Sequence, residues 1–187
     1  MEMNMRPLIK LFLLALIVLL TECTHEIRHG LTPDQLNENN SIVVLSTAAK
    51  EDSIPYHIGL GIRRIEDGKT AEFVQVNPQA VKSNFPDYYG FLHILSFKPG
   101  KYFFTLETVS PMIWFSRPSS VICFEVREDE VVYIGEVFVE YFMKGFSKEY
   151  VRIVINDQFD RDVGIFLEKN PSFKLENIRK RIPGHTQ

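Results

Sequence analysis

The stretch VICFEVREDEVVYIGEVFV, residues 121–139, indicates the fold class. Its two apolar runs, VICFEV and VVYIGEVFV, are rich in β-branched and aromatic residues, which fit the pleated surface of a strand. The short polar connection Glu128-Asp129-Glu130 separates the two runs. Two such runs on either side of a short turn predict a β-hairpin.

Runs of the same kind recur on both sides of this segment. They are SIVVLSTA (41–48), YHIGLGIRRI (56–65), AEFVQV (71–76), FLHILSF (91–97), KYFFTLETV (101–109) and EYVRIVI (149–155). Turn residues separate them, as in Lys98-Pro99-Gly100. About eight short strands at this spacing are typical of an antiparallel sandwich or barrel. We predict a mostly β protein, folded as an antiparallel β-sandwich.

Three glycines, Gly59, Gly61 and Gly135, lie inside the predicted strands. A glycine within a strand marks a bulge or a close approach of backbone more often than a nucleotide site. We therefore assign these glycines to the architecture of the sheets.

One helix follows the last predicted strand. Asp160 can cap a helix that runs to Lys169, with apolar residues on one stripe. The residues of that stripe are Val163, Phe166 and Leu167. Asn170-Pro171 ends the helix, because the residue before a proline disfavours helical geometry. The basic tail around Arg179-Lys180-Arg181 is expected to be a solvated chain end.

The N-terminus has the pattern of an export signal. Arg6 and Lys10 supply positive charge, and LFLLALIVLL (11–20) supplies an apolar core. Ten helical residues rise about 15 Å, roughly half the hydrocarbon thickness of a bilayer. We therefore predict a signal peptide over residues 1–22, with an uncleaved anchor as the alternative.

Cys23 directly follows that segment. Leu20-Thr21-Glu22-Cys23 resembles the lipobox of bacterial lipoproteins, although Glu22 stands where a small residue is usual. We predict lipidation of Cys23 and a polar tether over residues 23–40. The alternative is a disulfide with Cys123, the one other cysteine. As part of VICFEV, Cys123 is otherwise expected to be a buried thiol.

His25, Glu26 and His29 match the H-E-x-x-H pattern of zinc peptidases. In that chemistry two histidines one helical turn apart bind zinc, and the glutamate acts as general base. Here the segment lies between an export signal and Gly30-Leu31-Thr32-Pro33, and nothing downstream marks a third ligand. A polar tether also offers no buried surroundings to orient the histidines. We predict no metal site and no cofactor, and keep a zinc-dependent hydrolase as the alternative.

Two aromatic segments are candidates for partner binding. SNFPDYYGF contains Tyr88 and Tyr89, and SPMIWFSRP contains Trp114 and Phe115 between two prolines. We expect the second segment to be a buried crossing between sheets, and the alternative is an exposed patch that binds a partner. His93 shares a predicted strand face with apolar residues and is expected to be a core residue.

The composition narrows the classes of partner. The chain has 187 residues, which suits one domain and a targeting segment. Its 21 basic and 24 acidic residues are interspersed and give a net charge of −3, so nucleic acid is not an expected partner.

Residues 98–171 resemble a group of uncharacterised bacterial envelope lipoproteins built on a small β-sandwich. The resemblance lies in KPGKY (98–102), VVYIGEV (131–137) and DRDVGIFLEKNP (160–171), together with Cys23. It implies a fold and a location in the cell envelope, anchored in the membrane and facing the periplasm or cell exterior. It transfers no active site. We expect a β-sandwich domain with a C-terminal helix over residues 41–182 and a tail over 183–187. The expected function is non-catalytic binding of an envelope protein or cell-wall component.

Overall fold

The computed structural model describes residues 32, 33, 36, 40–49, 58–76, 82–86, 89–108, 122–144 and 148–184. These residues form two sheets. One contains β1 (Ser41–Ala49), β4 (Gly90–Phe97), β7 (Val131–Lys144), β8 (Lys148–Asn156) and β9 (Ile178–Lys180), in the order β4-β1-β7-β8 with β9 also paired to β7. The other contains β2 (Ile58–Arg64), β3 (Thr70–Gln75), β5 (Gly100–Thr108) and β6 (Cys123–Val126), in the order β3-β2-β5-β6.

This architecture confirms the predicted mostly β sandwich with a short C-terminal helix. All eight predicted strands form, because each carries enough apolar residues to cover one face of a sheet. The strand directions differ from the predicted antiparallel arrangement in one respect. β7 runs parallel to both β1 and β9, whereas the other ladders are antiparallel.

The predicted hairpin of β6 and β7 is wrong. β6 pairs with β5 in the four-stranded sheet, and β7 lies in the five-stranded sheet, so the connection between them crosses from one layer to the other. The reason is that both edges of the start of β7 are occupied: Val131, Val132 and Tyr133 pair with β1 on one side and with β9 on the other, which leaves no edge for β6.

Two apolar clusters stabilise the fold. The larger lies between the sheets and includes Leu45, Leu60, Tyr102 and Ile134. The smaller lies on the outer face of the five-stranded sheet, beneath the helix α1 (Phe159–Lys169). That cluster contains Ile42, Val44, Phe85, Leu92, Ile94, Val131, Tyr133, Val163, Phe166, Phe173 and Ile178.

The helix follows the predicted stripe. Val163 and Phe166 are buried, and Leu167 packs against the same cluster. Its N-cap is Gln158, which makes no capping bond with its side chain, so the prediction of Asp160 as the cap is wrong. Asp160 lies instead in the first turn, where a negative charge is favourable beside the positive end of the helix dipole. The helix ends before Pro171, as predicted.

The C-terminal segment is more ordered than a solvated tail. After a 3-10 turn (Leu175–Asn177), the strand β9 pairs in parallel with the start of β7. The backbone N–H of Arg181 donates to Tyr133 O at 2.9 Å, and its guanidinium pairs with Glu130. The prediction of a solvated end is wrong for this segment, although the side chains of Arg179 and Lys180 are exposed.

Two glycines show why the strands need them. Gly135 has φ of +104° where the β1–β7 register shifts, which confirms a bulge in β7. A Cβ on Gly59 would lie 2.0 Å from the ring of Phe73, so the predicted close approach is made by an aromatic side chain. The ring of Phe73 covers this gap on the outer face of the four-stranded sheet while 41% of the residue stays exposed.

Candidate functional site

Most of the residues proposed from sequence lie outside the described part of the chain. These are Cys23, His25, Glu26, His29, Tyr88, Trp114 and Phe115. Tyr89 is described and half-buried, with its ring edge-on to Phe91 at a centroid distance of 5.1 Å. The ring therefore contributes to packing at the start of β4.

Both His93 and Cys123 were predicted to be buried, and the structure agrees for only one of them. His93 is 2% exposed, and its Nε2 lies 2.8 Å from Thr47 Oγ1, which confirms the predicted core position. Cys123 is exposed, so the prediction of a buried thiol is wrong. It begins β6, where Phe124 points into the sandwich, and alternation along the strand therefore places Cys123 on the outer face.

A buried polar network joins α1 to the five-stranded sheet. Asp162 is fully buried, and its Oδ2 accepts hydrogen bonds from Ser46 Oγ at 2.6 Å and from Tyr133 OH at 3.0 Å. Its Oδ1 accepts from Arg161 Nε at 2.7 Å. Tyr133 OH in turn accepts from the backbone N–H of Gln158 at 3.0 Å, just before the helix starts. The network therefore ties the first turn of α1 to β1 and β7.

Arg161 connects this network to a second buried carboxylate. Its Nη2 donates to Glu136 Oε1 at 3.0 Å and to Ser46 Oγ at 3.1 Å. The other oxygen of Glu136 accepts from Asn156 Nδ2 at 3.0 Å. The guanidinium carbon lies 3.9 Å from the ring centroid of Phe85, within the range of a cation–π contact. The guanidinium of Arg161 thus donates hydrogen bonds to the carboxylates of both Asp162 and Glu136.

Burial changes the protonation equilibria of the network. Desolvation raises the pKa of Asp162, against hydrogen bonds from Ser46, Arg161 and Tyr133 that lower it. Desolvation also raises the pKa of Glu136, and the charge of Asp162 adds to the increase while the bond from Asn156 opposes it. Desolvation and the Asp162 charge raise the pKa of Tyr133. The network can therefore hold a proton at a pH where exposed carboxylates are ionised.

Sequence reasoning missed this network, although two signals were present. Glu136 is a charged residue inside an otherwise apolar run, and Arg161-Asp162 stands in the first turn of an amphipathic helix. Nothing in the chain order brings these groups to Ser46, which is 116 residues from Asp162.

A cleft of about 260 Å³ lies at the end of the domain where β7 and β9 begin. Its apolar lining consists of Pro33, Leu36, Val131 and Phe173. Its polar lining consists of Asp129, Glu130, Glu176, Asn177 and Arg179. Leu36 also packs against the cluster beneath α1, so an N-terminal segment, the β6–β7 connection and the C-terminal segment build the cleft together.

The charged groups of the cleft fall into two kinds. Glu130 accepts from Arg181 Nη1 at 2.7 Å and Nη2 at 3.0 Å. Burial raises the pKa of Glu130, but these bonds and one from the Arg127 N–H outweigh it and hold the pKa below its ordinary value. Asp129, Glu176 and Arg179, by contrast, form no hydrogen bond or ion pair with any other described residue through their side chains. They are available to a ligand.

Comparisons with protein-family models, curated proteins and solved structures gave no match, so no relative supplies a site or an activity. Among the residues that the structure describes, no group of three or more His, Cys, Asp or Glu side chains could hold a metal ion. Across the same ranges, no helix combines the length and the apolar composition needed to cross a bilayer.

Proposed function

We propose that the protein is an exported, lipid-anchored envelope protein that binds a ligand without transforming it. Its partner in this proposal is a cell-wall component or another envelope protein, met in the periplasm or at the cell exterior. Cys23 carries the anchor, and residues 23–40 connect it to the β-sandwich.

The cleft is the observation that carries the binding part of this proposal. Ligand sites are concave and mostly apolar, with a few polar groups that fix orientation. The cleft is concave but more polar than most such sites: apolar surface comes from Pro33 and Leu36, and three charged side chains have no partner among the described residues. These three side chains are exposed, so a ligand can reach them without breaking a bond within the protein.

The bonding of the buried network supports a non-catalytic role. A carboxylate with a raised pKa is a candidate general acid, and both Asp162 and Glu136 have that property. Each of their four oxygens, however, accepts a hydrogen bond from a neighbouring side chain. A structural role in docking α1 accounts for their burial and for their pKa values.

The anchor is supported by the sequence pattern. A positive segment, an apolar run of signal-peptide length and Leu20-Thr21-Glu22-Cys23 stand in the order found in bacterial lipoproteins. One acyl chain holds a protein on a membrane only marginally, so several chains on Cys23 are required for stable anchoring.

Replacement of Cys23 tests the anchor. In a bacterial host, Cys23→Ala should move the protein out of the membrane fraction and remove acylation detected by mass spectrometry. Cys123→Ala is the matched control and should change neither. A wild-type protein without acyl chains, or one with a Cys23–Cys123 bridge, would show that the anchor is wrong.

Cosedimentation of the purified full chain with peptidoglycan, and retention on immobilised envelope proteins, test the binding. The double variant Asp129→Asn/Arg179→Gln should lose the interaction, and Asp160→Asn/Arg152→Gln should keep it. Binding that ignores the cleft variant contradicts the assignment of the cleft. Equimolar zinc together with peptidase activity, both lost when His25, Glu26 and His29 become alanine, contradicts the non-catalytic function.

A further inference from the structure

We propose that Glu72 keeps the free edge of β3 closed to a second copy of this chain. Its carboxylate bonds the main chain at that edge, and without it β3 pairs with β3 of another copy. The inference concerns the four-stranded sheet and depends neither on the anchor nor on the cleft.

The strand β3 stands at an edge of its sheet, paired with β2 alone. The N–H of Val76, at the end of β3, donates to Ile58 O on β2 at 2.9 Å. Main-chain groups alternate in direction along a strand, so those of Phe73 and Gln75 point away from β2. Both residues are exposed. Their N–H and C=O groups can therefore pair with another strand.

The sequence of β3, TAEFVQ, suits such pairing. It contains β-branched and aromatic residues and neither proline nor glycine. Segments of this length with high β-propensity and low charge pair readily with copies of themselves. Natural proteins block exposed edges with charged residues or proline. Glu72 is the one such residue in β3.

Glu72 also acts through a hydrogen bond. The N–H of Phe73 donates to Glu72 Oε1 at 3.1 Å, so the carboxylate occupies a donor that points away from β2. In the part of the chain that the structure describes, no other side chain bonds the outward groups of Phe73 or Gln75. An incoming strand must displace Glu72 before it can pair at this position.

Side chains occupy main-chain groups at two other sheet edges in the same way. On β4, the N–H of Gly90 donates to Ser83 Oγ at 3.0 Å and the N–H of Leu92 to Asn84 Oδ1 at 2.9 Å. On β6, the carbonyl of Glu125 accepts from Arg181 Nη1 at 2.8 Å. These edges are closed by residues from other segments, whereas β3 relies on a residue of its own.

The register of β3 makes it complementary to itself. In an antiparallel pair with Val74 opposite Val74, Phe73 of each copy lies opposite Gln75 of the other. Each such pair exchanges both N–H···O bonds, and the Phe73 N–H is a donor in both pairs. Glu72 lies opposite Val76, so no like charges face each other in this register. A two-fold dimer of this kind extends the sheet across both copies.

Replacement of Glu72 by threonine tests the proposal. Glu72→Thr removes the acceptor and leaves a β-branched residue that suits a strand. Sedimentation velocity of the purified full chain should show the wild type as a monomer of 21.7 kDa at all concentrations. The variant should form dimers with an association constant about tenfold or more above that of the wild type, because the Phe73 N–H of both copies is released.

Three further variants separate the hydrogen bond from other effects. Glu72→Gln loses the charge but keeps an oxygen that accepts from the Phe73 N–H, so it should sediment as the wild type does. Glu128→Thr removes the same charge from an exposed turn and should also remain monomeric. Glu72→Thr/Gln75→Pro should return to the monomer, because proline has no N–H to donate. The N–H of Gln75 points away from β2, a position where an edge strand tolerates proline.

Three results would overturn the proposal. The first is a Glu72→Thr variant that is as monomeric as the wild type. The second is a Glu72→Gln variant that dimerises as Glu72→Thr does, which would assign the effect to charge alone. The third is association of Glu72→Thr that persists with Gln75→Pro, which would place the contact outside the edge of β3.

Discussion

The protein contains two sets of one arginine, one aspartate and one glutamate, and they differ in almost every physical respect. Arg161, Asp162 and Glu136 lie beneath α1, where both carboxylates are buried and bonded. The second set, Arg179, Asp129 and Glu176, lines the cleft at the start of β7 and β9, and its members are exposed and bonded to no other described residue.

The difference shows that residue type does not decide whether a charge is structural or available. Removing a charge from water costs several kcal/mol, and only partners with good geometry offset that cost. The first set has those partners because β1, β7, β8 and α1 converge on it. The second set stays in water, so nothing in the fold requires its charges to pair.

The largest difference in stability between the two sets should appear when the arginine of each is replaced. Arg161→Ala leaves two buried carboxylates without their cation, and we expect a loss of about 3–5 kcal/mol in the free energy of unfolding. Arg179→Ala should change that free energy by no more than about 0.5 kcal/mol, the usual range at the surface. Urea denaturation of both variants measures the contrast, and equal losses would refute it.

Removal of one donor to Asp162 should have an intermediate effect. Ser46→Ala and Tyr133→Phe each take away one of the two hydroxyl groups that donate to Oδ2. A buried acceptor that loses a partner costs about 1–3 kcal/mol. Thermal melting should show the decrease for both variants, and Ser96→Ala, at an exposed position of β4, is the control. Melting points that stay at the wild-type value would mean that the network adds nothing to stability.

The free energy of unfolding should depend on pH because the buried set has raised pKa values. The pKa values of Glu136 and Asp162 are raised from ordinary values of 4.5 and 3.8, so the folded state binds more protons than the unfolded state above those values. Their contribution to the free energy of unfolding is greatest below pH 4 and falls as pH rises through 4.5 toward the folded pKa values. Glu136→Gln should flatten this decline in denaturation curves measured across that range.

The depressed pKa of Glu130 acts with the opposite sign. Its pair with Arg181 stabilises the fold above pH 4.5, and this contribution is lost as the pH falls below that value. Arg181→Gln should therefore reduce stability at neutral pH and remove that loss on acidification. A decline toward acid that persists in Arg181→Gln would assign it to another group.

The smallest change in stability should come from a substitution in the cleft. Asp129 and Glu176 are exposed like charges that line the same cleft, so Glu176→Gln should stabilise the protein by no more than about 0.5 kcal/mol at low salt. The gain should disappear as salt screens the repulsion. Glu168→Gln, on the exposed side of α1, is the control. A loss of stability in Glu176→Gln would show that Glu176 has a structural role and would remove it from the site.

The strands and the helix could be predicted from sequence because their apolar residues repeat with the period of each element. The strand β9 could not, because three residues, two of them charged, carry no such period. The assignment of β6 and β7 to one hairpin failed for a different reason. A short polar connection serves a hairpin and a crossing between layers equally well, and here the pairing of β7 with both β1 and β9 leaves no edge for β6.

The polar sites depend on contacts that local patterns do not contain. Ser46 meets Asp162 because β1, β7 and α1 stack in one order, and the bulge at Gly135 sets which residues of β7 face the helix. The cleft joins three segments, around residues 33–36, 129–131 and 173–179. Residue chemistry was visible in each segment, but the parallel pairing of β7 with β9 brings the last two segments together, and packing of Leu36 on the cluster beneath α1 adds the first.

The parallel pairing of β1 with β7 also has a kinetic consequence. Ser41 and Glu130, which are hydrogen-bonded where these two strands start, stand 89 residues apart. At a synthesis rate of about 5–20 residues per second, β1 leaves the ribosome roughly 5 to 20 s before its central partner. A chain with such non-local pairing folds slowly, on the order of milliseconds to seconds once complete. Nascent chains that end before β7 should therefore remain sensitive to protease, and those extended past β9 should become resistant. The late arrival of β7 therefore delays completion of the five-stranded sheet until most of the chain has been made.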